Sequence, residues 1–493
     1  MELKIKFLKW SAGIPVAMIH KKTAAEIGIH SGDRISIKPV DKNPKAIYTI
    51  VDTVEKIIKR NEIGLSFEIK KTEHLKNGER ADVNFSPSSK SLSFIKKKLE
   101  GKELSQGEIN EIIFDVVDNS LSEAEIALFI SAMYQKGMNM RETIFLIKAI
   151  LGKGNLMKFK GKFVVDKHSI GGVAGNRTTP IVVSICAAAG LTMPKNSSRA
   201  ITSASGTADT VESIARVEFT TKEIKKIVAK TNACMVWGGA NEMVPADAKI
   251  NITEKVLKID PEAQLLASIM SKKLAAGAKY ILIDIPYGKT AKISRKGGLA
   301  LKRKFEYLGK YFKKILKCVL TDGSQPIGNG IGPMLEMADI VNILDPAKKG
   351  PGDLEQKSLM LAGEIFEMTG KAKKSKGISM ARNLLYSGKA FEKFKEIIKA
   401  QEGNINRIHK AKFKKDIYAQ KTGTIRVIDN GRVNFLARAA GCPVDKAAGV
   451  YLYHHVNDRI KKGEKIMTLY AETHPRLAQA IAFYKMRQPI FIR

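Results

Sequence analysis

A glycine-rich segment after a short run of strand-forming residues constrains the fold more than any other part of this sequence. Residues 161–165 read Gly-Lys-Phe-Val-Val, and residues 166–179 read Asp-Lys-His-Ser-Ile-Gly-Gly-Val-Ala-Gly-Asn-Arg-Thr-Thr. Pro180 then opens an apolar run to Leu191, and proline is tolerated in the first turn of a helix. The pattern predicts a strand over 161–165 that leads through a glycine turn into a helix.

Residues 166–179, which we call the first cradle, have the chemistry of an anion site. Backbone N–H groups of a glycine turn and of a helix N-terminus both favour anions. Lys167, Ser169, Thr178 and Thr179 add a cation and hydroxyl donors. The alternative is an ordinary tight turn, because neither G-x-x-x-x-G-K-[ST] nor G-x-G-x-x-G occurs here.

A second segment, residues 197–212, repeats this formula, and we call it the second cradle. It reads Ser-Ser-Arg-Ala-Ile-Thr-Ser-Ala-Ser-Gly-Thr-Ala-Asp-Thr-Val-Glu, with many hydroxyls, one arginine and one glycine before another apolar helix. Two anion cradles in one chain predict that two phosphate groups bind.

The composition indicates a globular protein with a strongly basic surface. A chain of 493 residues is expected to form about two to four domains. The net charge of +35 fits either a lysine-rich surface or nucleic-acid binding, and the first is favoured because the lysines are scattered instead of forming a basic arm. No nucleic-acid partner is therefore expected. A positive field would also attract dianionic substrates.

The sequence indicates a soluble, cytoplasmic protein. Its 4 cysteines lie far apart without C-x-x-C spacing, so neither a zinc site nor a disulfide framework is expected. The N-terminus lacks the apolar core of a signal peptide. No uninterrupted apolar run reaches the roughly 18 to 20 residues that a membrane span needs.

Changes in periodicity divide the chain into a multidomain α/β protein. We predict a β-rich N-terminal domain (1–84), a small helical domain (85–158), a central α/β domain with a mostly parallel sheet (159–413) and a C-terminal α+β domain (414–493). The predicted elements include strands at 3–7, 35–37, 47–51, 63–69, 233–237, 280–285, 318–320 and 423–428, the last followed by an Asn-Gly turn, and helices at 21–27, 105–117, 122–135, 140–151, 355–369 and 377–398. Ser105 with Glu108 and Ser122 with Glu125 predict capping boxes.

The two cradles together resemble the thymidine and pyrimidine-nucleoside phosphorylase family. The resemblance rests on Asp-Lys-His-Ser-x-Gly-Gly-Val at 166–173 and on Gly-Thr-x-Asp-x-x-Glu at 206–212. The variant Ser-Arg-Ala-Ile-Thr-Ser at 198–203 resembles the archaeal AMP phosphorylase branch, which also carries an N-terminal extension. The resemblance covers about Ser93 to the C-terminus. It implies that helical and α/β domains face each other across a cleft, and that homodimers assemble into larger oligomers.

The resemblance also implies phosphorolysis of a nucleoside monophosphate, with inorganic phosphate as co-substrate and with no cofactor and no metal. AMP, and by extension CMP and UMP, would yield free base and ribose 1,5-bisphosphate. Lys167 and Ser169, with Thr179, Ser197 and Thr207 beside them, would hold phosphate, and His168 is either structural or a proton shuttle. The residues expected to bind AMP are Gly172, Ser198, Arg199, Ala200, Ile201, Thr202, Ser203, Thr207, Ser268 and Lys292.

The departing base needs a proton, and Asp260 is the predicted donor. Two functions remain open for this residue, because an aspartate before Pro261 is also a good helix N-cap. As the acid, it would share a helix face with Ser268. A thymidine or pyrimidine nucleoside phosphorylase is the alternative function. Against it, residues 244–250 read Val-Pro-Ala-Asp-Ala-Lys-Ile, with Pro and Ala where that family places a Tyr and an Arg that grip the pyrimidine.

Overall fold

The computed structural model describes residues 1–12, 15–40, 46–72, 75–87, 89–159, 161–200, 203–239 and 243–493. It is a mixed α/β structure with two compact units, Met1–Ala149 and Ile150–Arg493. Within the described residues, no helix is both long and apolar enough to cross a membrane.

The first unit begins with a closed β-barrel. Its strands are β1 (Glu2–Phe7), β2 (Val16–His20), β3 (Arg34–Pro39), β4 (Ile47–Val54), β5 (Glu62–Leu65) and β6 (Arg80–Phe85), in the order β1-β5-β2-β4-β3-β6. Alternate side chains such as Leu3, Ile5 and Ile35 fill its interior. The predicted strand at 63–69 is wrong beyond Leu65, because Phe67 begins a short helix.

Helices form the rest of the first unit. The helices of this unit are α1 (Lys21–Glu26), α2 (Phe67–Thr72), α3 (Ser91–Leu99), α4 (Gln106–Val117), α5 (Glu123–Lys136) and α6 (Met140–Gly152), whose last turn belongs to the second unit. Both predicted capping boxes are present: Ser105 and Ser122 each accept from the backbone three residues on, and Glu108 and Glu125 bond back to the cap.

The second unit contains a parallel layer. Its strands are β7 (Val165–Ser169), β8 (Met193–Ser197), β9 (Ala233–Trp237), β10 (Tyr280–Tyr287) and β11 (Ile315–Asp322). β10 lies between β11 and β7, β8 pairs with β9, and a parallel bridge from Val164 to Thr192 relates β7 to β8. All five strands run in the same direction, so their carboxyl ends lie at one edge, where ligands bind in such sheets.

One strand differs from the prediction in a way that matters for the site. The expected strand over 161–165 is wrong for residues 161–163, because Val164 forms an isolated bridge with Thr192 and β7 runs from Val165 to Ser169. Parallel pairing with β10, from Val165 opposite Tyr280 to Ser169 opposite Asp284, keeps the chain extended. Lys167 and His168 therefore lie on the strand and not in the glycine turn.

Helices flank this layer and continue beyond it. They are α7 (Thr178–Ala188), α8 (Thr207–Glu212), α9 (Thr221–Thr231), α10 (Pro245–Leu257), α11 (Glu262–Ala275), α12 (Arg295–Tyr311), α13 (Pro333–Leu344), α14 (Gly352–Met368), α15 (Gly377–Tyr386) and α16 (Lys389–Ala400), followed by a 3-10 turn at Ile405–Arg407. The predicted helix over 377–398 is interrupted at Gly388, whose φ of 77° ends α15 and begins α16.

The C-terminal part of this unit is built from antiparallel strands and helices. Its elements are β13 (Phe413–Tyr418), β14 (Gly423–Ile428), α17 (Asn430–Ala439), β15 (Gly449–Leu452), β16 (Arg459–Ile460), β17 (Lys465–Ala471), α18 (His474–Met486) and β18 (Ile490–Ile492). The short strand β12 (Gly330–Ile331), from earlier in the chain, pairs with β15. The Asn-Gly pair expected to form a turn begins α17 instead, because the Asp429 side chain accepts from the backbone N–H of Arg432 and caps the helix.

Candidate active site

The first cradle is a glycine loop between β7 and α7. Gly171, Gly172 and Gly175 have φ of 83°, 88° and 67°, a region that other residues rarely adopt. The loop returns the chain from the carboxyl end of β7 to Thr178, the first residue of α7. Sequence and backbone geometry agree that this turn requires glycine.

Lys167 lies beneath this loop as a buried cation. Its side chain is fully buried, and Nζ donates to Thr178 Oγ1 at 2.6 Å and to Thr179 Oγ1 at 3.5 Å. Burial lowers the pKa of Lys167 to about 7, although the Asp284 carboxylate opposes that shift. An anion bound above Lys167 would stabilise the ammonium form, so this residue can couple anion binding to proton uptake.

Two further first-cradle residues have distinct surroundings. Ser169 accepts a hydrogen bond from Asn176 Nδ2 at 3.3 Å across the glycine loop. Burial and the neighbouring lysines, Lys273 first among them, hold the pKa of His168 well below its usual range. His168 is therefore a neutral imidazole at neutral pH, able to accept or donate one hydrogen bond.

A buried ionic network is centred on Asp166 of β7. Asp166 is 1% exposed, and its two carboxylate oxygens pair with Lys195 Nζ at 3.3 Å and Lys273 Nζ at 2.8 Å. Each buried charge thus has a partner of opposite sign, which such positions require.

Asp209 shapes the second cradle. Its Oδ2 accepts from Ala200 N at 2.7 Å and from Gly206 N at 2.8 Å, which closes the loop between β8 and α8. A Cβ on Gly206 would lie 2.7 Å from Ser198 O, so the loop ends can approach this closely only with glycine. Ile201 and Thr202 lie outside the described residues. Ser203 Oγ donates to Ser205 O at 2.9 Å.

Arg199, the arginine of this loop, is surrounded by carboxylates. Its guanidinium contacts Glu212 at 2.5 and 2.6 Å, Glu218 at 3.0 Å and Asp209 at 3.5 Å, and it lies over the Trp237 ring at 4.5 Å. These partners hold the pKa of Arg199 above its usual value, and Arg199 lowers the pKa of Glu212 to about 2. A bound phosphate would therefore compete with Glu212 for this guanidinium.

Arg177 joins the two cradles, a role that the sequence did not suggest. From the end of the first cradle it donates to Ser205 O at 2.7 Å and to Thr207 Oγ1 at 3.4 Å. Its Nε pairs with buried Glu336 at 2.8 Å, which fixes the guanidinium. The two predicted anion sites are therefore adjacent.

The structure tests one of the two functions expected for Asp260, that of a helix N-cap. The N-cap expectation is wrong: α11 begins at Glu262 with Pro261 as its N-cap, and the Asp260 carboxylate instead forms an ion pair with Lys292 Nζ. Lys292 in turn lies against the glycine loop, because a Cβ on Gly172 would be 2.6 Å from Lys292 Cβ and 2.8 Å from its backbone N. Asp260, Lys292 and the first cradle thus form one cluster.

Ser268 has a different neighbour. Its hydroxyl accepts from Lys272 Nζ at 2.6 Å, one turn along α11, and Lys272 also pairs with buried Asp247. Among the described residues no hydrogen bond joins Ser268 to Asp260.

Glu254 is a buried carboxyl that no sequence motif indicated. It is 4% exposed, and burial, followed by the nearby Asp247 carboxylate, raises its pKa to about 8. Burial lowers the pKa of Lys292 to about 8, and Glu254 opposes that shift. The signal available in the sequence was the spacing of Asp247 and Glu254, which places both on one face of α10.

Comparisons with known families define the class of protein. The family described as "Glycosyl transferase family, a/b domain" matches residues 161–391, its "helical bundle domain" matches residues 92–154, and the "Pyrimidine nucleoside phosphorylase C-terminal domain" matches residues 424–490. The fold is also that of an anthranilate phosphoribosyltransferase from Thermus thermophilus, with a TM-score of 0.52 and 18% identity over 63% of this chain and 99% of that chain. The domains define a glycosyltransferase of the nucleoside phosphorylase class.

Full-length relatives narrow this class. The AMP phosphorylase of Thermococcus kodakarensis is 41% identical over 100% of this chain and 98% of its own length, and that of Methanococcoides burtonii is 40% identical over 100% and 97%. A Legionella pneumophila (strain Paris) protein provisionally named a thymidine phosphorylase is 40% identical over 90% and 86%. The chain belongs to the AMP phosphorylase family, and it is an enzyme of the pentosyltransferase type with nucleotide and phosphate substrates.

Proposed function

We propose that this enzyme catalyses phosphorolysis of AMP to adenine and ribose 1,5-bisphosphate. An oxygen of inorganic phosphate bonds to the anomeric carbon of the ribose as the C–N glycosidic bond breaks. The electron pair of that bond leaves with adenine, and a proton from a carboxylic acid neutralises it. The 5'-phosphate of AMP stays on the sugar and makes the product a bisphosphate. CMP and UMP are further substrates in this proposal.

The adjacency of the two cradles and the Asp260–Lys292 pair carries this proposal. Arg177 bridges the cradles, and the contact of Gly172 with Lys292 brings the carboxylate of Asp260 to the first of them. A nucleoside monophosphate and phosphate together present two anions and one leaving base. The cluster supplies two anion-binding loops and one carboxyl group for them.

Roles follow for the residues of each loop. In the first cradle Lys167 and Ser169 hold inorganic phosphate, through the buried ammonium and a hydroxyl. The residues assigned to AMP are Gly172, Ser198, Arg199, Ala200, Ser203, Thr207, Ser268 and Lys292, with Ile201 and Thr202 added from the sequence motif.

Asp260 is the proposed proton donor, and its ion pair imposes a condition on it. A carboxyl group donates a proton only in its protonated form, whereas an adjacent ammonium favours the carboxylate. Proton donation therefore requires Lys292 to move from Asp260 onto the substrate. This agrees with the assignment of Lys292 to AMP binding.

Replacement of Asp260 by asparagine tests this role. Asp260→Asn removes the proton but preserves the shape of the side chain, so turnover of AMP should fall at least a hundredfold while AMP still binds. Glu262→Gln is the matched control. Glu262 lies two residues after Asp260, and it is also an exposed carboxylate that forms an ion pair with a lysine, Lys304. Equal activity of Asp260→Asn and Glu262→Gln would exclude Asp260 as the acid.

The proposal extends to assembly. The resemblance to AMP phosphorylases supports a homodimer that assembles into larger oligomers, and sedimentation of the full chain tests this. A species that sediments as a monomer at all concentrations would contradict it.

A thymidine or pyrimidine nucleoside phosphorylase is the second candidate. The match of residues 424–490 to a pyrimidine nucleoside phosphorylase domain and the Legionella relative favour it. The absence of the Tyr and Arg pair at residues 244–250 opposes it. Faster phosphorolysis of thymidine or uridine than of AMP would establish this candidate.

A further inference from the structure

The helix α17 makes contacts with the candidate site that the proposed function does not use. Asn430, its first residue, is fully buried, and its side-chain oxygen accepts from Ala174 N at 2.9 Å in the first cradle. Its amide nitrogen donates to Thr290 Oγ1 at 2.9 Å and to Gly323 O at 3.0 Å. All of these partners belong to loops that begin at the carboxyl ends of parallel strands.

These partners show what the Asn430 side chain connects. Ala174 follows β7, Thr290 follows β10 and precedes Lys292 by two residues, and Gly323 follows β11. β7, β10 and β11 lie in one sheet, so the side-chain amide of Asn430 joins the three loops at the carboxyl edge of that sheet. The bonds to Ala174 and Gly323 are buried, where an unpaired partner would be costly, and the bond to Thr290 is partly buried.

Asn434 extends the same contact to the second cradle. It lies one turn further along α17, and residues four apart share a helix face. Its side-chain oxygen accepts from Ala204 N at 3.0 Å, and the residue is 8% exposed. One face of α17 therefore holds a backbone N–H of each cradle.

A third contact comes from the loop after α17. Lys446 Nζ donates to Glu212 Oε2 at 2.6 Å, and Glu212 is the carboxylate that pairs with Arg199. Lys446, Asn430 and Asn434 all belong to the segment that matches the C-terminal domain family at 424–490. This segment thus touches the first cradle at Ala174 and the second cradle at Ala204 and Glu212.

We propose that Asn430 and Asn434 are positioning residues for the phosphorolysis reaction, which set the distance between the two cradles through α17. The inference rests on the proposed function, because it takes both cradles as substrate-binding loops. Neither residue touches the reacting atoms. They act through the backbone of Ala174 and Ala204, and their effect falls on substrate binding more than on the proton transfer at Asp260.

Asn434 gives the sharper test, because it makes one bond to one cradle. Asn434→Ala leaves Ala204 N–H without its acceptor, and the KM for AMP should rise about tenfold, the factor expected for one buried hydrogen bond. Asn434→Asp keeps an oxygen at the same position and should restore the KM to near its original value. Asn430→Ala releases three loops at once and should raise the KM values for AMP and for phosphate together.

Gln401 provides the matched control. It is as buried as Asn430, and its side chain makes three hydrogen bonds to backbone atoms outside both cradles, with Met235 N at 2.8 Å and with Met235 O and Arg216 O at 2.9 Å. Gln401→Ala should lower the melting temperature and leave the KM values unchanged. A merely structural role for Asn434 would give Asn434→Ala this same pattern.

Steady-state kinetics and thermal unfolding of the full-length variants decide the matter. A KM for AMP that is unchanged in Asn434→Ala, or not restored in Asn434→Asp, would overturn the inference while leaving the proposed function intact. An unmodified enzyme that releases no adenine from AMP would instead overturn the proposed function. The two failures are thus distinguishable.

Discussion

Substitution of Gly172 by alanine tests the contact that places Lys292 beside the first cradle. A Cβ at Gly172 would lie 2.6 Å from Lys292 Cβ and 2.8 Å from its backbone N. Carbon atoms in contact are about 3.5 to 4.0 Å apart, so the Lys292 backbone must shift by about 1 Å. Gly172 also has a φ of 88°, where any other residue is strained by about 1–2 kcal/mol.

Gly171 separates the clash from the strain. It has a φ of 83°, but a Cβ there would meet no atom within 4 Å. Gly171→Ala therefore has the strain alone, whereas Gly172→Ala adds overpacking of about 1–3 kcal/mol. A misplacement of about 1 Å in an active site can reduce the rate about a hundredfold.

The comparison uses kcat/KM for AMP and the melting temperature of both variants. We expect Gly172→Ala to lose about tenfold to a hundredfold more activity than Gly171→Ala, and to melt at a lower temperature. Equal losses in the two variants would refute the conclusion that Lys292 is positioned by its contact with Gly172.

Three further predictions follow from individual residues. Burial lowers the pKa of Lys167 to about 7, so its ammonium form is present below that pH and is lost as the pH rises through it. The KM for phosphate should therefore increase as the pH rises through about 7. Lys167→Arg stays charged and should flatten this increase in KM. A phosphate KM with the same pH dependence in both proteins would contradict this. Asp209→Ala leaves the N–H groups of Ala200 and Gly206 unpaired, at a cost of about 1–3 kcal/mol each. This substitution should raise the KM for AMP and lower the melting temperature, and Asp209→Asn should have intermediate effects. An unchanged KM would count against a role of Asp209 in shaping the second cradle. Ser105→Ala removes the cap of α4 and should destabilise the first unit by about 1 kcal/mol in calorimetry without changing either KM, whereas a changed KM would contradict a purely local role.

Local signals in the sequence were sufficient for much of the fold. Both capping boxes, at Ser105 and Ser122, formed as expected because each depends on residues three positions apart. The strands predicted at 233–237 and 280–285 were found because buried parallel strands are continuous apolar runs, and the second extends to Tyr287 in the structure.

Features that depend on distant partners could not be predicted in this way. β7 extends to Ser169 because β10, more than a hundred residues away, pairs with it. Asp260 satisfies the composition rule for an N-cap, yet Lys292 is its partner. The Asn-Gly pair at Asn430 has the signature of a turn, but Asp429 caps a helix there and the Asn430 side chain bonds to three loops.

The separate segments of the candidate site could be predicted from the sequence, but their arrangement relative to one another could not. The motifs indicated two anion cradles, and the resemblance supplied the residues proposed to bind in each. Nothing local showed that Arg177 bridges the cradles or that Glu254 lies buried near Lys292, since both facts arise from tertiary packing. The roles of the individual residues remain proposals that the variants above test.

The most direct test of the central claim is phosphate-dependent base release by the unmodified enzyme. AMP, adenosine and thymidine are compared at equal concentrations, and the sugar product from AMP is identified by phosphorus NMR. We predict that AMP is cleaved faster than either nucleoside by orders of magnitude and that the product carries two phosphates. Cleavage of thymidine or adenosine at a rate equal to or above that of AMP would contradict recognition of the 5'-phosphate, and with it the assignment of two cradles to two phosphate groups.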